Sequence, residues 1–395
     1  MNQNLSVTPT PELPTHKHPH VTEPHLYLKL VIILSLELLL AIPLGLVLVK
    51  LHVGGIAWIF GGLASGAVVL QGCRILYQYY PKPNRRARKV GMALVGLTVG
   101  ASSSNSDFTS LAAGIPIFIF LTLFLLLCGS GIGYLYSRLS QTNLLTSMLA
   151  TVPGGVGVMA SIAADYNRNV TLVALVQAIR VTTVVLLIPL IARTSVVPVL
   201  SPQILPVTDR LLSFDLSQLG LLFLALVITA LVVSLAGLCK MPAAEFFGAL
   251  VVGLAFNSLL HLLPVFGDVN FIPPAFIKLL GQLLLGITIG EYWGDKPNIG
   301  KRAVGYAFMS VAMTLVAGAI AAMLAMQLTS WDWLTCLLVT APGGAPEMIL
   351  VSLALNHNVE IVTAGHLVRL IAINSSLPLW IFLFSRLDKQ LSESV

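Results

Sequence analysis

Long apolar segments alternate with short polar connections along most of the chain. Twelve such segments follow one another from Leu28 onward, and most approach the ~20 residues that a membrane-spanning helix needs. In hydrocarbon every backbone amide must be paired within the protein, and a single apolar run achieves this as a helix. The pattern predicts an all-α transmembrane bundle. The segments are centred on residues 28–49, 54–73, 89–103, 111–136, 144–164, 169–192, 217–239, 243–263, 274–293, 303–327, 333–355 and 358–384.

Composition agrees with the pattern. The 395 residues are 56% hydrophobic and 10% charged, whereas about a quarter of the residues of a typical soluble domain are charged. This excludes a secreted domain or a cytosolic enzyme. The net charge of +6 arises mostly from Lys and Arg in short segments between apolar runs, where they act as orientation signals. We therefore expect the lipid bilayer and a small-molecule or ion substrate as partners, no nucleic acid, and a homodimer as an arrangement compatible with the sequence.

Three polar stretches bound the membrane region. Residues 1–27 are rich in Pro and His and predict a disordered cytoplasmic tail, residues 194–215 a linker, and residues 386–395 a short cytoplasmic tail. The alternating His pattern at 16–20 could chelate a metal, but it lacks support from Cys or carboxylates. We predict no metal site and no cofactor.

The strongest signal is an internal duplication. TVPGGVGVM at 151–159 recurs as TAPGGAPEM at 340–348, and the same offset of 189 places Arg180 on Arg369. Self-similarity at a fixed offset is the mark of repeated structural units. We expect two homologous membrane repeats, residues 28–193 and residues 216–385.

Basic residues indicate how the two repeats are oriented. The cluster at 82–89 follows the second apolar segment of the first half, whereas Lys296, Lys301 and Arg302 follow the third segment of the second half. If the segment containing PGG does not cross in either half, both clusters lie on one side, as the positive-inside tendency requires. This favours an inverted five-plus-five arrangement in the bacterial inner membrane, with both termini cytoplasmic.

Each half carries a helix-breaking motif in the middle of an apolar segment. Pro removes a backbone donor and Gly permits non-helical backbone, so the helix should break there, as a re-entrant segment or as a broken spanning helix. Breaks at membrane depth persist where they are buried in protein or line a wet cavity. A duplicated break is typical of transporter substrate sites; the alternative is a packing kink. The six candidate substrate-binding residues are Pro153, Gly154, Gly155, Pro342, Gly343 and Gly344.

Two arginines related by the repeat complete the candidate substrate site. Arg180 and Arg369 lie near the centres of their apolar segments, where an Arg costs at least about 2.5 kcal/mol and must face a partner inside the bundle. They could bind an anionic substrate together. Alternatively, each could cap carbonyls freed by its own break or pair with an internal acid.

Three titratable residues are candidates for proton coupling. Glu347 replaces Val158 of the first repeat, and His366 replaces Gln177. Glu37 lies within the first apolar segment. Carboxylates and imidazoles form the proton relays of many transporters. A structural hydrogen bond to the neighbouring Arg is the alternative for Glu347 and His366.

The duplicated half, the paired PGG motifs and the central Arg of each copy resemble the AbrB family of polytopic membrane proteins. The resemblance covers about residues 28–385. It implies two duplicated membrane domains, and members carry labels such as regulator of AidB expression or ammonia monooxygenase. The sequence does not favour an enzyme, because it has no HExxH, GxSxG, P-loop or dinucleotide motif. Its membrane-region histidines are scattered and form no recognisable copper or iron set. We predict no catalytic residue.

These features predict a secondary transporter of a small anionic solute that works by alternating access. The alternative is a membrane-embedded sensor or regulator of gene expression without transport activity.

Overall fold

The computed structural model describes residues 23–79, 81, 83–104, 108–194, 216–239, 241, 243–262, 270–293 and 301–393. The tail predicted over 1–27 and the linker predicted over 194–215 lie almost entirely outside the described residues. The helices are α1 (Glu23–Lys50), a 3₁₀ turn (Gly54–Ile56), α2 (Ala57–Tyr77), α3 (Arg85–Ser102), α4 (Phe108–Ala113), α5 (Ile115–Ser140), α6 (Leu144–Thr151), α7 (Val156–Asp165), α8 (Val170–Thr194), α9 (Leu216–Leu238), α10 (Ala244–His261), α11 (Ala275–Glu291), α12 (Lys301–Leu328), α13 (Trp333–Thr340), α14 (Ala345–Leu355) and α15 (Val359–Glu393).

The prediction of an all-α transmembrane bundle is confirmed. Among the described residues, eight helices are long and apolar enough to cross a membrane: α1, α2, α5, α8, α9, α10, α12 and α15. Helices α3 and α11 are not among the eight, because α3 begins with the basic run RRARK and α11 has 17 residues. At 1.5 Å per residue, α11 is about 25 Å long.

Glycine contacts show how α3 and α11 run beside their neighbours. A Cβ on Gly62 of α2 would meet the carbonyl of Leu283, and one on Gly66 would meet that of Ile287. The contacted residue moves forward along α11 as the glycine moves forward along α2, so these two helices are parallel. Helices α3 and α10 are parallel for the same reason, because Gly96 contacts Phe246 and Gly100 contacts Leu250. The absence of side chains lets these backbones approach closely.

By the same criterion, α3 and α11 are antiparallel. Gly91 faces Leu284, whereas Val95, one turn further along α3, faces Gly281. Consistently, the backbone N–H of Asn84, which caps the start of α3, donates to Glu291 at the end of α11 at 2.8 Å. We call the face of the molecule at which α3 begins and α11 ends the basic face.

The helices pack as two bundles. The scaffold bundle consists of α1–α3 and α9–α11, and the hairpin bundle consists of α4–α8 and α12–α15. Each bundle therefore combines helices from residues 28–193 with helices from residues 216–385, and the halves of the sequence are not separate packing units. The two bundles meet mainly where α14 packs on α3 and the 3₁₀ turn, and where α8 packs on α11.

Candidate functional site

The first PGG segment forms a re-entrant hairpin. Helix α6 ends at Thr151 and α7 begins at Val156. The backbone N–H of Leu144, at the start of α6, donates to Asp388 at 2.9 Å, and Arg168, just after α7, forms a 3.0 Å salt bridge with the same carboxylate. Since both ends of the segment meet at one residue, the chain turns back at the break. Asp388 belongs to α15, which continues to Glu393 through most of the predicted tail at 386–395.

The second PGG segment forms a hairpin of the same kind. Asp332 caps α13 by accepting the N–H groups of Leu334 and Thr335. Its carboxylate also lies 2.8 Å from Nε2 of His357, which follows α14, and accepts from Asn358 at 3.2 Å. The carboxylate of Asp332 therefore joins the start of α13 to the residues that follow α14.

The open ends of the two hairpins lie at opposite faces of the hairpin bundle. Helix α15 begins at Val359, beside the opening of the second hairpin, and reaches the opening of the first at Asp388. Thirty helical residues separate these ends, which corresponds to about 45 Å. The broken tips therefore point toward each other.

Each buried arginine caps the break of its own hairpin. Nη1 of Arg180 donates to the carbonyls of Thr151 at 3.0 Å and Val152 at 3.3 Å. Nη1 of Arg369 donates to Ala341 at 2.8 Å, and its Nη2 donates to Gly343 at 3.2 Å. The two side chains are buried, so these bonds satisfy carbonyls that have left the helical ladder. The alternative of carbonyl capping accounts for these contacts, and it still places both arginines at the tips.

The residue three positions before each Arg holds that Arg in place. Gln177 donates to the Leu149 carbonyl at 2.8 Å and accepts from Arg180 at 2.5 Å. His366 lies 2.9 Å from the Leu338 carbonyl and 2.6 Å from Nη2 of Arg369. Because Arg can only donate, Nδ1 of His366 accepts and Nε2 carries the proton, so the imidazole is neutral.

Glu347 and Arg88 connect the second hairpin tip to the scaffold bundle. Oε1 of Glu347 accepts from Nη2 of Arg88 at 2.5 Å, and Nη1 of Arg88 donates to the hydroxyl of Tyr292 at 3.1 Å. Glu347 is 2% exposed. Helix α8, which carries Arg180, packs on α14, which carries Glu347, so the charged groups of the two tips lie near one another.

Sequence reasoning assigned Arg88 to a basic loop, although it lies in the first turn of α3. The helical spacing of apolar residues after Arg88 could have indicated that its side chain faces the interior. Met92, Val95 and Val99 lie four, seven and eleven positions after Arg88 and are all buried. An Arg in register with an apolar stripe at 3.6-residue spacing faces the same interior surface.

Glu37 is not at the hairpin tips. It lies on α1 in the scaffold bundle, fully buried, and neither carboxylate oxygen has a hydrogen-bond partner among the described residues. The hydroxyl of Ser65 on α2 donates to its backbone carbonyl at 2.5 Å. Over the described ranges, no group of three or more His, Cys, Asp or Glu side chains could hold a metal ion.

The two hairpins differ in how they meet the scaffold bundle. Helix α14 is buried from Ala345 to Ala354 and packs on α3 and the 3₁₀ turn, where a Cβ on Gly55 would clash with the Ala354 carbonyl. Helix α7 packs mainly on α8 and α6, and positions such as Gly157 and Val158 are exposed. One hairpin is closed against the scaffold bundle and the other is open.

Comparison with known proteins identifies the family. Two relatives in the curated collections are the "Uncharacterized protein YhjN" of Bacillus subtilis (strain 168), 26% identical over 75% of this chain and 78% of the relative, and the "Putative regulator AbrB" of Escherichia coli (strain K12), 25% identical over 73% and 80%. No solved structure matches. The family profile described as "Transition state regulatory protein AbrB" matches residues 58–385. Since this match spans most of the chain, the protein belongs to the AbrB family.

Proposed function

We propose that this protein is a secondary transporter that carries a small anionic solute through the bacterial inner membrane by alternating access. One observation carries the proposal: two re-entrant hairpins with Arg-capped broken tips enter from opposite faces and converge. Discontinuous helices that meet inside a bundle offer helix ends and freed backbone groups to a solute.

The buried charges at the tips favour an anion. The buried Arg180 and Arg369 bring two positive charges and the partly exposed Arg88 brings a third, whereas Glu347 brings one negative charge and His366 is neutral. An uncompensated charge in a low-dielectric interior is costly, so an excess of buried cations attracts a counter-ion. The N-termini of α7 and α14 at the breaks add backbone N–H groups and the positive ends of helix dipoles.

We further propose that the halves are inverted repeats. The matching helices α3 and α11 run in opposite directions, and the matching hairpins open on opposite faces. The closed second hairpin and open first hairpin then represent one of two states. In the other state, α7 would close on the scaffold bundle and bring Val158, the counterpart of Glu347, toward Lys278, the counterpart of Arg88.

Proton coupling fits Glu347 best. Release of the second hairpin from α3 would separate Glu347 from Arg88 and leave its buried carboxylate without that cation. Glu37 is a second candidate, because its carboxylate has no hydrogen-bond partner within the described part of the scaffold bundle.

We assign the basic face to the cytoplasm. Arg85, Arg86 and Lys89 lie at the start of α3, and Arg138 ends α5 near the opening of the first hairpin. An excess of Lys and Arg marks cytoplasmic connections. Helix α1 begins and α15 ends at this face, which agrees with cytoplasmic termini.

Uptake by proteoliposomes tests the proposal. We expect uptake of labelled organic anions that depends on a pH gradient, and its loss in Arg180→Gln and Arg369→Gln. Because these arginines cap backbone carbonyls, gel filtration and thermal unfolding must first establish that each variant is folded. Full uptake by folded variants would contradict a role for the arginines in solute binding.

The second candidate is a membrane sensor or regulator without transport or enzymatic activity. The name of the Escherichia coli relative, "Putative regulator AbrB", favours it. A protein that is stabilised by a solute in detergent but takes up none of the tested anions would favour this alternative.

A further inference from the structure

At the converging hairpin tips, two buried polar atoms of opposite character have no hydrogen-bond partner among the residues that the structure describes. Nη1 of Arg180 donates to the carbonyls at the helix break and Nη2 donates to Gln177. The Nε–H of Arg180 is unpaired. Oε1 of Glu347 accepts a hydrogen bond from Arg88, and Oε2 is unpaired. The two residues are 1% and 2% exposed. Buried polar groups are rarely left without a hydrogen bond, and each such group needs an explanation.

The two free atoms belong to different hairpins. Arg180 lies on α8 and caps the first hairpin, Glu347 lies in the first turn of α14 in the second, and α14 packs on α8. A ligand that satisfies both atoms would bridge the tips. The position that matches Glu347 in the first hairpin holds Val158, which has no polar side-chain atom. The pair therefore has no repeat-related copy, and it defines a single site.

The chemistry of the atoms specifies the ligand. The Nε–H of Arg180 requires an acceptor, which the carboxylate of an anionic solute supplies. Oε2 of Glu347 requires a donor. An anion without a donor would place its own lone pairs against Oε2 and leave that oxygen unpaired. A solute with a hydroxyl or ammonium group next to its carboxylate satisfies both atoms.

On this basis we propose that the solute is a small carboxylate with a net negative charge and a hydrogen-bond donor on the adjacent carbon, a 2-hydroxy acid or an acidic 2-amino acid. Its carboxylate accepts from Nε of Arg180 and its donor bonds to Oε2 of Glu347. This proposal rests on the proposed transport function and adds Glu347 as the residue that determines specificity.

Matched solutes test the proposal in proteoliposomes that contain the full chain. L-lactate and propionate differ at one position, as do L-malate, L-aspartate and succinate, and all five carry a net negative charge. A site that hydrogen-bonds a substrate group discriminates strongly against the analogue that lacks it. We expect the hydroxy or amino member of at least one set to be taken up with a half-saturation concentration at least about tenfold below that of its deoxy analogue. Which of the two is preferred distinguishes a hydroxyl from an ammonium donor.

Variants connect the discrimination to Glu347. In Glu347→Gln we expect the preference to fall to about twofold or less, because the amide lacks the charge that strengthens the bond. Glu245→Gln is the matched control, since it removes a 2.6 Å ion pair with Lys89 inside the scaffold bundle and should keep the preference. If Glu347→Gln does not fold, the inference is tested by whether the wild-type protein prefers the hydroxy or amino acid to its deoxy analogue.

The outcomes separate the two proposals. Equal uptake of hydroxy, amino and deoxy members, or uptake confined to anions without a donor, would overturn this inference and leave transport in place. Failure to take up any anion would overturn the proposed function as well.

Discussion

Arg88 in the scaffold bundle and Glu347 in the hairpin bundle form a 2.5 Å ion pair across the boundary between the two bundles. Their side chains are 23% and 2% exposed. Glu347 lies in the first turn of α14. The closed position of the second hairpin therefore depends on a charge supplied by α3.

Breaking this pair should destabilise the protein. Arg88→Gln leaves the Glu347 carboxylate buried without its cation, which typically costs about 3–5 kcal/mol. Glu245→Gln breaks the more exposed pair with Lys89, which should cost at most about 1 kcal/mol. Thermal unfolding in detergent measures both. Equal, small shifts of the midpoint would show that the ion pair does not hold the hairpin.

Gly344 makes room for Glu347. A Cβ at this position would clash with Oε2 of Glu347. We expect Gly344→Ala to displace the carboxylate from Arg88 and to lower the unfolding midpoint about as much as Arg88→Gln. Gly157→Ala is the control, because it lies at the start of α7 with no atom within 4 Å of the added Cβ. It should be neutral or gain up to about 1 kcal/mol from helix propensity. Similar midpoints for the two variants would be inconsistent with this packing.

Lysine should not replace the capping arginines. Arg369 satisfies the carbonyls of Ala341 and Gly343 with two nitrogens on a planar fork, whereas Lys has one ammonium on a flexible stem. We expect Arg369→Lys to leave at least one buried carbonyl unpaired, at a cost of about 1–3 kcal/mol. Chemical denaturation compares it with wild type. Wild-type stability in Arg369→Lys would exclude carbonyl capping as the main role of the guanidinium.

The opening of the second hairpin should respond to acid. Burial raises the pKa of Asp332, but hydrogen bonds from Thr335 and His357 outweigh it and hold the pKa below its usual value of 3.8. A carboxyl group with a lowered pKa stabilises the fold above the unfolded-state pKa, and this contribution is lost as pH falls through the folded-state pKa. Asp332→Asn keeps the helix cap, as Asn143 does in the first hairpin. The unfolding midpoints of wild type and Asp332→Asn should converge as pH falls below about 4. A constant difference between pH 7 and pH 3 would contradict this.

The two repeats are a prediction from residue types at a constant offset in the sequence. The offset of 189 that relates Arg180 to Arg369 also relates the bonds that Thr151 and Thr340 donate to the Gly129 and Gly318 carbonyls. Helix breaks at PGG follow from local backbone chemistry. The arrangement of the helices in two bundles could not be predicted from the sequence. Apolar segments of similar composition do not indicate which helices contact each other.

Long-range pairs were the part of the candidate site that sequence reasoning missed. Arg88 and Glu347 are 259 positions apart, and a basic cluster at a helix start is normally solvated. Asp388, which joins both ends of the first hairpin, was placed in a tail because its surroundings in the sequence are polar. Neither assignment can be made without knowing that α3 and α15 lie beside the hairpins.

Locking the two bundles together tests the central claim of transport by movement between them. The indole N–H of Trp293, after α11, donates to Thr182 of α8 across the bundle boundary at 2.9 Å. Thr182→Cys with Trp293→Cys, in a background without Cys73, Cys128, Cys239 and Cys336, can be joined by a reducible bifunctional reagent. Uptake of labelled L-malate and L-lactate into proteoliposomes is then measured before linking, after linking and after reduction. We predict that uptake of at least one of them stops on linking and returns on reduction, while each single-cysteine variant is unaffected by the reagent. Unchanged uptake in the fully linked protein would contradict alternating access between these bundles.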